Sequence, residues 1–178
     1  MIALQIENTG SFMSKLLRSE CFDLFLLEEA VIRKAATWKI DGHMNRAFLV
    51  AQREAEGKPA EADDPDMIPW SEVRPWCFDL IKGKTAPTLM RFTLRLSPEE
   101  AEAVFTPENV AAQEGEQAVS FDYLINVTYE KAVLKIVTGI AMNGFSMDLS
   151  LRKDADRRWD DFIREMMEAN MIRFQELT

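Results

Sequence analysis

The sequence predicts an α+β fold: a single, mostly antiparallel sheet with helices packed on one face, formed as one domain from all 178 residues. Three observations lead there. Segments that alternate apolar and polar residues outnumber those with apolar residues at helical spacing. Most neighbouring segments are joined too tightly for the crossovers that parallel pairing needs. A content of 47% hydrophobic residues is enough for one core at this length.

The first strand is Ile2, Leu4 and Ile6 alternating with Ala3, Gln5 and Glu7. Asn8 or Thr9 caps a short helix with Phe12, Met13, Leu16 and Leu17 on one face, ending near Glu20. β-formers from Leu24 to Lys34 and from Ala36 to Asp41 give a second and a third strand, the third with Trp38 and Ile40 on one side and Thr37, Lys39 and Asp41 on the other. From Arg53 to Asp66, the acids Glu54, Glu56, Glu61, Asp63, Asp64 and Asp66 outnumber Arg53 and Lys58, and Gly57, Pro59 and Pro65 break regular structure. This stretch reads as a mobile acidic loop.

Ser71 or Arg74 then starts a helix with Val73, Cys77, Leu80 and Ile81 on one face. Pro75 suits its first turn, Lys82 complements its dipole and Gly83 closes it. Met90, Phe92, Leu94 and Leu96 alternate with Arg91, Thr93 and Arg95, a strand with one apolar and one basic face. Ser97-Pro98-Glu99-Glu100 is a capping box opening a short helix through Ala101, Val104 and Phe105, and Thr106-Pro107-Glu108 starts another turn. The cleanest alternation sets Val119, Phe121, Tyr123, Ile125, Val127 and Tyr129 against Ser120, Asp122, Asn126 and Thr128, with Leu124 the exception. Two further β segments follow, parted at Thr138-Gly139 or at Asn143-Gly144; the second pair is the stronger hairpin signal because both residues accept positive φ. Ala155, Trp159, Phe162, Ile163 and Met166 form a helical stripe from Asp154 to Ala169, with Asn170 as a left-handed cap, and a last strand uses Ile172 and Phe174.

Charge narrows the function classes. With 21 Lys+Arg against 30 Asp+Glu, the net charge of −9 repels a phosphate backbone. Met1 to Glu7 lacks the basic and apolar regions of a signal peptide, and apolar runs such as Leu24 to Leu27 are too short to span a bilayer. A cytoplasmic location with reduced thiols is expected, without membrane contact. Two Cys and one His fall short of a closed zinc site, so neither metal nor cofactor is expected.

Several stretches together resemble an uncharacterised family of small bacterial proteins described only as a domain of unknown function. They are Phe12-Met13-Ser14-Lys15-Leu16-Leu17, Ile40-Asp41-Gly42-His43-Met44-Asn45, Trp70 through Lys84 with Pro87, and Phe92 to Leu96 followed by Ser97-Pro98-Glu99. The resemblance spans most of the chain and implies one domain, with no activity to carry over. Relative to that family the acidic loop from Arg53 to Asp66 is a variable insertion.

The sole histidine, His43, follows Asp41-Gly42 in a turn where Asp41 could orient its imidazole as a general base. A loop histidine beside Asp-Gly is more often a solvated turn residue. Cys77 lies on an apolar stripe and Cys21 precedes a strand, so both read as packing residues rather than nucleophiles. No dinucleotide or phosphate loop, nucleophile elbow or zinc-protease motif occurs. Lys82-Gly83-Lys84 follows a helix C-terminus, the wrong end for backbone anion binding. Adjacent carboxylates such as Glu28-Glu29, Asp63-Asp64 and Asp160-Asp161 point to different faces. One local basic cluster remains, Lys82, Lys84, Arg91 and Arg95, either a receptor for an anionic group or the charge that protects an edge strand from self-association.

These readings rank a non-catalytic binding or accessory module first, acting through a protein partner or as a homo-oligomer. The alternative is an anionic small-molecule binding domain or enzyme using Asp41 and His43 beside Lys82, Lys84, Arg91 and Arg95. Third stands a clamp-like nucleic-acid accessory protein, because DNA sliding clamps repeat a similar strand-helix-strands unit.

Overall fold

Period-two and helical patterns resolve, in a computed structural model describing residues 1–57, 66–105, 120–144 and 149–177, into alternating strands and helices. The order is β1 (Ala3–Ile6), α1 (Thr9–Arg18), β2 (Phe25–Arg33), β3 (Thr37–Asp41), α2 (Arg46–Ala55), α3 (Trp70–Ile81), β4 (Leu89–Leu96), α4 (Pro98–Phe105), β5 (Ser120–Glu130), β6 (Val133–Asn143), α5 (Leu149–Ala169) and β7 (Phe174–Glu176). A 3₁₀ turn at Glu20–Phe22 links α1 to β2. The strands make one seven-stranded sheet, β3-β2-β4-β5-β6-β1-β7, with every neighbouring pair antiparallel. The expected α+β fold is the observed one.

Alternation decides which face is covered. Leu4 and Ile6, Phe25, Leu27 and Ile32, Phe92 and Leu94, Ile125 and Val127, and Leu134 and Ile136 are all buried on the face that receives the helices. Phe12 and Leu16 of α1, Trp70, Val73 and Cys77 of α3, and Trp159, Ile163 and Met167 of α5 complete one cluster. Trp159 meets Phe25 edge-on, Trp70 meets Phe92 likewise, and Phe105 of α4 stacks on Tyr123, so the helices converge on the central strands. Of the β5 alternation, Tyr123, Ile125 and Val127 are buried and Phe121 and Tyr129 partly so, whereas Val119 lies outside the described residues. The two indoles satisfy their N–H groups on backbone, Trp70 on Leu16 O and Trp159 on Leu124 O, each at 2.9 Å.

Caps follow the local sequence where it speaks clearly. Asn8 accepts from Ser11 N at 2.9 Å to open α1, and Ser97 accepts from Glu100 N at 3.3 Å to open α4. Elsewhere tertiary contacts override it. α3 begins at Trp70, so Pro75 stands in its second turn and leaves Ser71 C=O without its helical donor. Its C-terminus is held by Lys34, whose Nζ donates to Ile81 O and Lys82 O at 2.9 and 3.1 Å, while Lys82 itself pairs with Asp79.

Four expectations need correction. The two β segments after β5 are one strand, β6: Gly139 lies mid-strand opposite Leu124, and Gly144, at φ 100°, ends the strand. The hairpin turn is Lys131-Ala132, both left-handed at φ 51° and 62°, set by an eleven-pair register rather than by glycine. α5 starts at Leu149, and its left-handed residue is Met171 at φ 55°, not Asn170, whose side chain bonds back to Met166 O. α2, unforeseen, opens on an Asn45 cap and continues through Ala55, so Arg53 to Ala55 are helical; of the acidic stretch, residues 58–65 lie outside the described residues, as does Thr106-Pro107-Glu108.

Candidate functional site

Among the described residues the helices that bury side chains all do so on one face, and α2 and α4 bury none; the sheet face turned away from this core is the surface to consider. Register partners share a face. Lys39, Val31, Arg91, Thr128, Lys135 and Gln5 therefore form one cross-strand row on it, and Asp41, Glu29, Thr93, Asn126, Val137 and Ala3 the next. Arg95, Leu124 and Gly139 follow in a third.

Charge is segregated across this face. The β3-β2-β4 part carries Lys39, Arg91 and Arg95 against Asp41, Glu28 and Glu29. The β5-β6-β1 part is built from Leu124, Val137, Gly139, Ala141 and Ala3 with Asn126 and Thr128, and its charged members are Asp122, Glu130 and Lys135. Among the described residues Gly139 has no atom within 4 Å of the position a Cβ would take, so the surface is open at that point.

A β-bulge organises the charged part. The β2–β4 register shifts between Leu27 and Glu29, and the extra residue turns Glu28 to the same side as Glu29, correcting the expectation that this pair splits between faces. Glu28 then accepts from Arg95 at 2.7 Å, Asp122 lies 3.3 Å from the same guanidinium, and Glu29 pairs with Lys39. That hydrogen bond holds Lys39 above its ordinary pKa. Arg95 Nε, buried between these partners, has no hydrogen-bond partner of its own.

Asp41 accepts from His43 twice, from its backbone N–H at 3.0 Å and across 2.7 Å from Nδ1. The backbone bond first, then the imidazole, keeps the Asp41 carboxyl below its usual range. Asp66, bonded to Arg46, is lowered in the same way, and it feels the charges of Arg95 and His43. The short segment ahead of α3 brings Asp66 here: Met67 bridges His43, Ile68 N donates to Gly42 O at 2.8 Å, and Ile68 O accepts from Leu27 N at 2.9 Å.

The predicted residues divide accordingly. Asp41, His43 and Arg95 gather at one end of the charged part. Arg91, four residues from Arg95 and so roughly 13 Å along the strand, belongs to the basic row and makes no ion pair among the described residues. Lys82 and Lys84 lie beyond it, past the end of α3 that Lys34 holds beside the Arg33–Leu89 pair. Glu28, Asp122, Arg46 and Asp66 join the cluster from distant positions, and no local pattern marks them; the bulge alone could not be read from Glu28-Glu29.

Burial pushes the Cys77 thiol up to about 12 and the Cys21 thiol to about 11, which suits packing residues. Among the described residues no group of three His, Cys, Asp or Glu could hold a metal ion, and no helix is long and apolar enough to cross a membrane. A cleft of about 320 Å³ between Glu7, Asn8, Ser11 and Arg173 contains none of the predicted residues.

Neither curated proteins nor solved structures give a match to this chain. A family of unknown function (DUF5721) matches residues 15–175, which takes in the bulge, the His43 turn, Lys39 and Arg91 of the basic row, the five strands β2 to β6 and part of β7, and the chain belongs to that family.

Proposed function

We propose that the chain is a non-catalytic binding or accessory module that works through protein contact at the sheet face turned away from its core. The observation that carries this reading is the central stretch of the β5-β6-β1 surface, Leu124, Val137, Gly139, Ala141 and Ala3, which holds no charge, with Asp122, Glu130 and Lys135 around it. In a chain with 29% charged residues, a solvated sheet face would place charge at its alternate positions, as the neighbouring β3-β2-β4 part does. Small and apolar residues there, flanked by polar ones, match the charge-depleted centre and polar rim of a protein interface.

Gly139→Arg tests it. The space above Gly139 admits a side chain without disturbing the isolated chain, yet an arginine there blocks a docked surface. Chains that copurify with the protein, including further copies of itself, are expected to be lost from the variant while its melting temperature is kept. Recovery of no bound chain, or of the same chains from the variant, overturns the reading.

A second reading rests on the Asp41–His43 pair. With Nδ1 donating to Asp41, Nε2 is the acceptor and could serve as a base toward an anionic small molecule met by Arg91, with Lys82 and Lys84 farther off. Arg95, however, is already matched by Glu28 and Asp122. A thermal-shift panel of phosphates and carboxylates tests this reading: stabilisation that His43→Ala removes supports it, and a flat response ends it.

A further inference from the structure

Resting on the protein-contact reading, we infer that the occupant of the sheet face turned away from the core is a second copy of this chain, packed face to face about a two-fold axis that lies perpendicular to the strands. The warrant is the order of charge on the face. The basic row (Lys39, Arg91) and the acidic row (Asp41, Glu29) are successive cross-strand rows, one side-chain repeat of about 7 Å apart along the strands.

Two-fold symmetry makes an interface self-complementary, with the same patch used by both copies. An axis perpendicular to the strands sets each strand over its own counterpart and reverses the rows. Centred between the two rows, it places Lys39 opposite Asp41 of the second copy, and Arg91 beside Glu29 of the second copy. The charge-poor β5-β6-β1 part then meets itself, with Glu130 beside Arg95 of the second copy. Other placements fail on charge. An axis centred on either row sets Lys39 on Lys39 or Asp41 on Asp41, and an axis along the strands lays the charged part on the charge-poor part, leaving most of the desolvated charges without partners.

Packing geometry and area agree. The reversed strands remain aligned, which is the common packing of two sheets. Six inter-strand spacings of about 4.8 Å and strands averaging about 25 Å give a face of at most roughly 700 Å², of the same order as the ~800 Å² that each partner contributes to a standard interface. Arg91, a cation without an ion pair among the described residues, gains a carboxylate.

Sedimentation of the full chain at about 100 µM, in low and high salt, tests the arrangement. The wild type is expected to be a dimer that salt weakens. Lys39→Glu and Asp41→Lys are each expected to weaken self-association at least about tenfold, because each sets like charges against each other twice. An equimolar mixture of these two variants is expected to recover the dimer as a heterodimer, which damage to the fold of either chain would not produce. Arg91→Glu mixed with Glu29→Lys probes the same register should Asp41→Lys disturb the His43 turn. A dimer indifferent to both exchanges, or to Gly139→Arg, overturns the inference. A monomer that still holds a different protein in a Gly139-dependent way overturns the inference and leaves the contact reading standing; a monomer without any such partner overturns both.

Discussion

Gly42 sits so close to Leu27 that a Cβ on it would stand 1.8 Å from Leu27 O and 2.6 Å from the Leu27 carbonyl carbon. Both contacts are backbone, and Gly42 also donates to Glu28 O at 3.0 Å and accepts from Ile68 N, so neither chain can withdraw without breaking the junction beside the bulge. Gly42→Ala is therefore expected to cost about 3 kcal/mol or more, read as a lower urea midpoint with the slope unchanged. Wild-type stability in that variant would contradict the close approach.

Thr138 is the buried hinge of a polar network that joins β6, β1 and α5. Its Oγ1 accepts from Ile2 N at 2.8 Å and donates to Asp160 Oδ1 at 2.6 Å, and Asp160 also accepts from the Met1 amine at 2.8 Å. Thr138→Val keeps the shape, removes both bonds and leaves a buried carboxylate short of a donor, an expected loss of about 2–3 kcal/mol in denaturant unfolding. Thr138→Ser, which retains the hydroxyl, is expected to lose about half of that or less.

The β5–β6 turn offers a gain. Lys131 and Ala132 both adopt left-handed backbone, which side-chain-bearing residues resist by about 1 kcal/mol each. Lys131→Asn with Ala132→Gly supplies the pair that a two-residue hairpin favours, and is expected to raise stability by about 1–2 kcal/mol. A lower melting temperature would show that the turn is not of this kind.

The thiols give a pH test. Burial holds the Cys77 thiol at about 12 and the Cys21 thiol at about 11, whereas in the unfolded chain a thiol titrates near ~8.5. Above that unfolded value the unfolded state sheds protons that the folded state retains, so stability is expected to fall as pH rises through 9 to 11. At neutral pH iodoacetamide is expected to spare Cys77 in the native protein and to label it rapidly in denaturant. Fast native labelling of Cys77 would overturn its assignment as a packing residue.

Short-range physics made much of this molecule legible in its residues. The strand Met90 to Leu96, the Asn8 and Ser97 caps and the Trp159 stripe are each fixed by neighbours within a few positions, because side-chain period and capping are local properties. The sequence also marked Arg91 and Arg95 as one polar face and Asp41 as the partner of His43. What only the tertiary structure decided is non-local. Gly139 became mid-strand because eleven register pairs hold β6 against β5, outweighing a turn signal confined to two residues. Glu28 joined Arg95 across 67 positions of chain because a bulge turned it, and Asp122 joined the same guanidinium across 27. The separation of charge into rows, on which the functional proposals stand, exists only once strand order and register are set, since residues adjacent on a sheet face are distant in the sequence that encodes them.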